Sequence, residues 1–177
     1  MKNLLQLDKQ LIILNPLKIF NRLKLRDKFL IFRVFILTAI IRSAMLIIPF
    51  KNLRKCMGEL NKESSLNISD EEYNTARRIS WSINKVSKYT PWESKCLVQS
   101  LTAQYLLSCS HIETTLYLGV SRENNIKAEN QDIVNNKENK KSNLIAHSWI
   151  RSGSFYVTGG DGKNFATVAK FKKGGFR

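Results

Sequence analysis

The sequence predicts an α+β domain, and three observations predict it. Apolar residues recur at helical spacing as far as Cys109. From Thr114 the pattern changes to strand-like alternation, first in TTLYLGV. Cys96 then falls in a helix-like run, SKCLVQSLTAQYLL, and His147 in a strand-like one, IAHSWIRSGSFYV. Helices followed by strands describe a Cys-bearing helix packed on an antiparallel sheet that carries the histidine.

The elements follow in chain order. Asn15 and Pro16 break the first apolar segment and Pro49 ends the second, so residues 1–55 read as two helices, the longer from about Asp27 to Ile48. Gly58 to Asn67 is a polar connector. Ser69-Asp70-Glu71-Glu72 has the form of a capping box, and Tyr73, Ala76, Ile79, Ile83 and Val86 follow at helical spacing, giving a helix from Asp70 to about Lys88. Two starts then compete for the helix that carries Cys96: Thr90, with Pro91 at the first helical position, and Ser94. A start at Ser94 puts the sulfur in the first turn, where N–H groups and the macrodipole favour a thiolate. A start at Thr90 removes that help.

Thr114 to Val120 reads as a strand, and residues 121–143, rich in Asn, Lys and Glu, as a solvated insertion. Ile145–Arg151 and Ser154–Thr158 are two short strands joined through Ser152-Gly153 in a tight hairpin, with Ile145, His147 and Trp149 on one face. Pairing about that turn sets His147 opposite Thr158. Asp161 then lies three residues past the partner, so Gly159-Gly160 must bulge the strand to bring it back. The expected division is 1–58, basic apolar helices, and 59–177, the domain with the chemistry.

The net charge of +15 is uneven: residues 1–55 carry twelve Lys or Arg against Asp8 and Asp27, net +10, and residues 56–177 carry seventeen against twelve, net +5. Cys56, Cys96 and Cys109 are odd in number and lack CxxC spacing, which indicates neither a disulfide framework nor a zinc site and fits reduced intracellular thiols. No metal or organic cofactor is indicated. Phe29 to Phe50 is apolar enough to suggest a membrane span, but Arg33 and Arg42 interrupt it, and a charge at mid-bilayer costs about 2.5–3.5 kcal/mol. The preferred reading is a helix packed on its own domain. The alternative is contact with an anionic membrane surface through residues 1–55. Nucleic acid is not expected as a partner, because the aromatics Phe20, Phe29, Phe32 and Phe35 sit inside an apolar helix pattern rather than along a basic groove.

Cys96, His147 and Asp161 supply the three roles of a thiol hydrolase or acyltransferase: nucleophile, base, and the carboxylate that orients the base. His111, the other histidine, falls in a connector between helix and strand and is read as solvated. The backbone N–H of Cys96 is the nearest oxyanion donor, and loss of one such donor costs about 2.7–4 kcal/mol.

Pro91-Trp92, Cys96-Leu97 opening a long helix, the LYLGV strand, the Ala146-His147-Ser148-Trp149 strand and the GGD segment together resemble the leader peptidases (B proteins) of lasso-peptide biosynthesis. Those belong to the transglutaminase-like, papain-like cysteine hydrolases of bacteria. The resemblance runs over roughly residues 30–177. It implies that Cys96 is the nucleophile, His147 the general base and acid, and Asp161 the orienting carboxylate. The implied activity is removal of the leader from a ribosomally made precursor peptide, so that a separate ATP-dependent macrolactam cyclase can close the ring on the freed amine. With only 55 residues before the peptidase part, the chain resembles the split form, which implies a separate leader-binding protein as partner and a cytoplasmic location, with peripheral contact at the inner face of the membrane as the alternative. The chain departs from the family in having Ser110-His111 where members commonly have a small residue, often Gly, and in the length of the 121–143 insertion. Two further readings use the same residues: an acyltransferase or deamidase with the same triad, and a non-catalytic peptide-binding scaffold in which the triad is incidental.

Overall fold

Residues 23–92, 95–122 and 144–175 are described by the structure, a computed structural model. The first expected helix, in residues 1–15, lies outside them. The longer one is present as α1, Leu25–Ile47. Its rows separate cleanly. Leu30, Ile31, Val34, Leu37, Ile41 and Met45 turn into the core, while Phe29, Phe32, Ile36, Ile40 and Ile47 are exposed. An apolar helix packed on its own domain therefore describes one face of α1 and leaves the other uncovered. Beyond Pro49 come a single turn, α2 (Phe50–Leu53), and a 3₁₀ turn, Arg54–Cys56.

The next helix, α3 (Asp70–Val86), starts with the capping box that the sequence announces: Glu72 N–H donates to Ser69 Oγ at 3.3 Å and Ser69 N–H to Glu72 Oε2 at 2.9 Å. Asp27 on α1 accepts from Arg78 on α3 at 2.7 Å and ties the two helices together. Helix α4 (Cys96–Cys109) is buried nearly all round because α1, α3 and the sheet enclose it, its buried polar residues Ser100, Thr102 and Gln104 being hydrogen-bonded. Its far end closes on left-handed His111 (φ 58°), with Ile112 N–H bonded to Leu107 O and His111 N–H to Ser108 O. This is a Schellman ending, in which glycine usually holds the left-handed position.

Five antiparallel strands form one sheet in the order β1-β5-β2-β3-β4: β1 (Glu59–Leu60), β2 (Thr114–Arg122), β3 (Leu144–Ser152), β4 (Phe155–Thr158) and β5 (Ala166–Lys173). Strands β1 and β5 were not expected. The first falls in the polar connector, the second after the GGD segment. The connector is held to the sheet by buried Arg151, which donates to the Ser64, Ser65 and Gly153 carbonyls and pairs with Glu63 at 3.2 Å. Strand β2 runs on through Ser121 and Arg122, which pair with Ile145 and Leu144, so the first two residues assigned to the insertion are ladder residues. Residues 123–143 lie outside the described ones.

The hairpin register also differs from expectation. Ser152 pairs with Phe155 and Arg151 with Tyr156, but Ile150 pairs with Thr158, so Val157 is an extra residue on β4. Thr158 thus faces Ile150 rather than His147, whose ladder partner lies on β2, at Gly119. One core joins all layers: Val34 of α1, Ile79 and Ile83 of α3, Leu101 and Leu107 of α4, and Leu116, Ile150 and Phe171 of the sheet. It is continuous across the boundary drawn after residue 58.

Candidate active site

Cys96 is the first residue of α4. Thr90 does not supply the cap. It lies beyond the turn that follows α3, its N–H bonded to Val86 O, and the residue at the N-cap position is Lys95, whose side chain makes no capping hydrogen bond. Ser94 lies outside the described residues. The outcome for the sulfur is the one tied to a late start: half-buried Cys96 sits in the first turn, at the positive end of the macrodipole.

Three buried hydroxyls set the height of this helix end on the sheet. Ser100 Oγ lies 3.1 Å from Thr158 Oγ1 and accepts from Ser148 Oγ at 3.3 Å. Ser148 and Thr158 are the immediate neighbours of His147 and Gly159. Cys96 is one turn before Ser100, about 6 Å along the axis. The other end of α4 turns into β2 near the C-terminal end of β3, so its Cys96 end lies toward the His147 end of the strand.

Side-chain alternation along β3 sends Ser148 and Ile150 to the helices and His147, Trp149 and Arg151 to the opposite face. There the His147 ring packs on Phe165 (centroids 4.7 Å apart) and Trp149 (6.1 Å), and Trp149 stacks on Tyr117 (5.4 Å). His147 Nε2 is 2.8 Å from Gly159 O. A carbonyl can only accept, so Nε2 carries a proton, and Nδ1 is the ring nitrogen left to exchange one. No hydrogen bond joins Cys96 to His147 among the described residues.

Gly159, Gly160 and Gly162 all adopt positive φ, at 80°, 68° and 66°, and they do turn the chain back after β4. The turn presents the Gly159 carbonyl to His147, and the Asp161 carboxylate is engaged elsewhere. It accepts from Lys163 N–H at 3.2 Å and pairs with Lys163 Nζ at 3.0 Å. These contacts, the side chain foremost, hold its carboxyl below the ordinary aspartate value. Asp161 is a turn-forming residue in this geometry.

Trp92, four residues before Cys96, packs on Phe35 of α1 with centroids 5.0 Å apart, and its indole N–H is buried without a hydrogen-bond partner. The hydroxyl cluster, the Gly159 carbonyl and Phe165 were not anticipated from sequence. Gly159 stood in a recognised turn, but nothing in KNFATV marks Phe165 as a neighbour of His147.

The profile of the Transglutaminase-like superfamily matches residues 38–129, just over half of the chain. The chain belongs to that superfamily. The match contains Cys96 and the whole of α4 and ends before β3, so His147 and Asp161 stand outside it. Members of the Transglutaminase-like superfamily are typically cysteine hydrolases or transferases, and helices laid on an antiparallel sheet are the architecture found here. No curated protein and no solved structure matches the chain.

Proposed function

We propose that this chain is a cysteine peptidase that removes the leader from a ribosomally synthesised precursor of the lasso type, with Cys96 as nucleophile and His147 as base. The observation that carries the reading is the placement of Cys96 at the first position of α4, with the Ser100–Ser148–Thr158 contacts holding that helix end beside the strand end that bears His147. In the structure the His147 ring lies on the sheet face away from α4, so the reading requires it to swing round the β3 edge to Cys96 when substrate binds. In the reaction His147 Nδ1 takes the Cys96 proton and the thiolate attacks the carbonyl at the leader–core junction. The Cys96 N–H receives the developing oxyanion. His147 returns the proton to the leaving amine, which frees the core, and a water deprotonated by His147 then hydrolyses the thioester to release the leader. The Gly159 carbonyl does the orienting work that the resemblance gives to Asp161. A separate leader-binding protein delivers the precursor, and an ATP-dependent cyclase consumes the new amine.

Thiol alkylation across a pH series, read at each cysteine by peptide mass spectrometry, tests the pair. Cys96 should label fast even in mild acid and slow markedly in His147→Ala, whereas Asp161→Asn should change little. Labelling of Cys96 only in alkali, unaffected by His147→Ala, would remove the nucleophile from the proposal. Mass spectrometry of a lasso precursor incubated with the chain and a leader-binding protein tests the substrate class. Adding a primary amine distinguishes hydrolysis from acyl transfer, since a transferase would give the amide of the leader.

A further inference from the structure

The outward face of α1 presents Phe29, Phe32, Ile36 and Ile40 in i+3 and i+4 steps, with Ile47 two turns further on, all exposed, from 40% at Ile36 to 81% at Ile47. The patch continues past Pro49 through Ile48 and Phe50, both exposed. An exposed apolar face rimmed by polar residues is the kind of surface that marks a partner or a membrane. By length and composition α1 could cross a bilayer, and only 11% of its most apolar window is buried. Packing excludes that orientation: Leu30, Val34, Leu37 and Ile41 on the other face belong to the same core as α3, α4 and the sheet. The helix can enter an apolar phase only sideways, by its outer face.

Charge selects the phase. From Lys24 to Lys55 the sole acidic residue is Asp27, and it is occupied by Arg78 on the domain side. Exposed cations stand at both ends of the patch, Lys24 and Arg26 before it and Lys51, Arg54 and Lys55 after it. Arg33, on the patch itself, lies over the Phe29 ring at 6.0 Å, an arrangement that lets its stem lie on apolar surface while the guanidinium stays at the boundary. Apolar side chains flanked only by positive charge complement the headgroups of anionic lipid.

We infer that α1 docks this protein in the plane of an anionic membrane surface, with Phe29, Phe32, Ile36 and Ile40 in the headgroup–acyl boundary. The inference does not depend on what reaction the site performs. Flotation of the full chain on a density gradient with vesicles tests it, since bound protein rises and self-aggregate sinks. The chain should float with phosphatidylcholine vesicles that contain phosphatidylglycerol and much less with phosphatidylcholine alone, and an alkaline carbonate wash should release it. Phe32→Ser/Ile36→Ser/Ile40→Ser alters only exposed positions and should reduce binding roughly tenfold or more with an unchanged melting temperature. Lys51→Glu/Arg54→Glu/Lys55→Glu should do so by a similar factor. Equal binding to both vesicle types, or none, overturns the inference. So does resistance to the carbonate wash. A dimer seen by light scattering that the triple-serine variant dissolves would assign the face to a second copy of the chain instead.

Discussion

Helices α3 and α4 begin in opposite ways. The first turn of α3 is closed by Ser69 and Glu72, each satisfying a backbone N–H of the other. The first turn of α4 receives no side-chain cap from Lys95, and its first residue is a cysteine. At its other end α4 is closed fully, by the Schellman turn through His111. Among the described residues no side chain caps this start, and under the proposed function it is where a polarised N–H terminus would serve a thiolate and an oxyanion.

Four substitutions test this contrast. Cys96→Ala should reduce peptidase activity by more than about 10³-fold with folding intact, as for removal of a nucleophile in related mechanisms, measured by leader release and thermal melting together. Lys95→Asp should close the open end. The capped helix gains about 1 kcal/mol in denaturant unfolding, while the added negative charge slows alkylation of Cys96. Gains in both stability and thiol reactivity would contradict the trade. Ser69→Ala should cost about 1 kcal/mol and leave the Cys96 alkylation rate unchanged. The Ser69 backbone and hydroxyl contacts hold the Glu72 carboxyl below its ordinary value. That stabilisation is complete above the carboxyl's unfolded range and is lost as pH falls through the folded value, so the Ser69→Ala penalty should shrink in acid. The smallest effect is expected at the closed end of α4. His111→Gly relieves a left-handed histidine at the cost of a looser unfolded chain, for a net gain of roughly 0.5–1 kcal/mol in urea unfolding, again with no change at Cys96.

What was legible in the sequence follows the strength of local signals. The capping box and helical periodicity located α3 to within two residues of its end, and the break at Pro49 located the end of α1. The α+β layering and the superfamily-level reading hold for the same reason. Strand β1, with two residues, has no period to detect, and β5 hides its alternation behind small residues and a register shift in its pairing with β2. The β3–β4 register was misplaced because a bulge adds a residue without any composition signal at Val157. At the site, residue type and neighbours are enough to propose Cys96 and His147 from sequence. They do not reveal the partner of His147 Nε2, because it is a backbone carbonyl, and any residue carries one. The outward face of α1 could not be told from its inward face, since both rows are apolar and only tertiary packing separates them.

Gly119 lies across the ladder from His147, and a Cβ built there would stand 2.8 Å from the Trp149 ring and 3.0 Å from Phe165 Cβ. Trp149 and Phe165 are the two rings that flank His147. In a saturation library selected for activity, position 119 should therefore tolerate no replacement, not even alanine, although it makes no chemistry of its own. Under the proposed role of His147, a screen selected for solubility alone should be more permissive there, because folding requires only that the rings shift. The gap between those two tolerance maps at one hydrogen-sized side chain would locate the histidine's workplace without any substrate in hand.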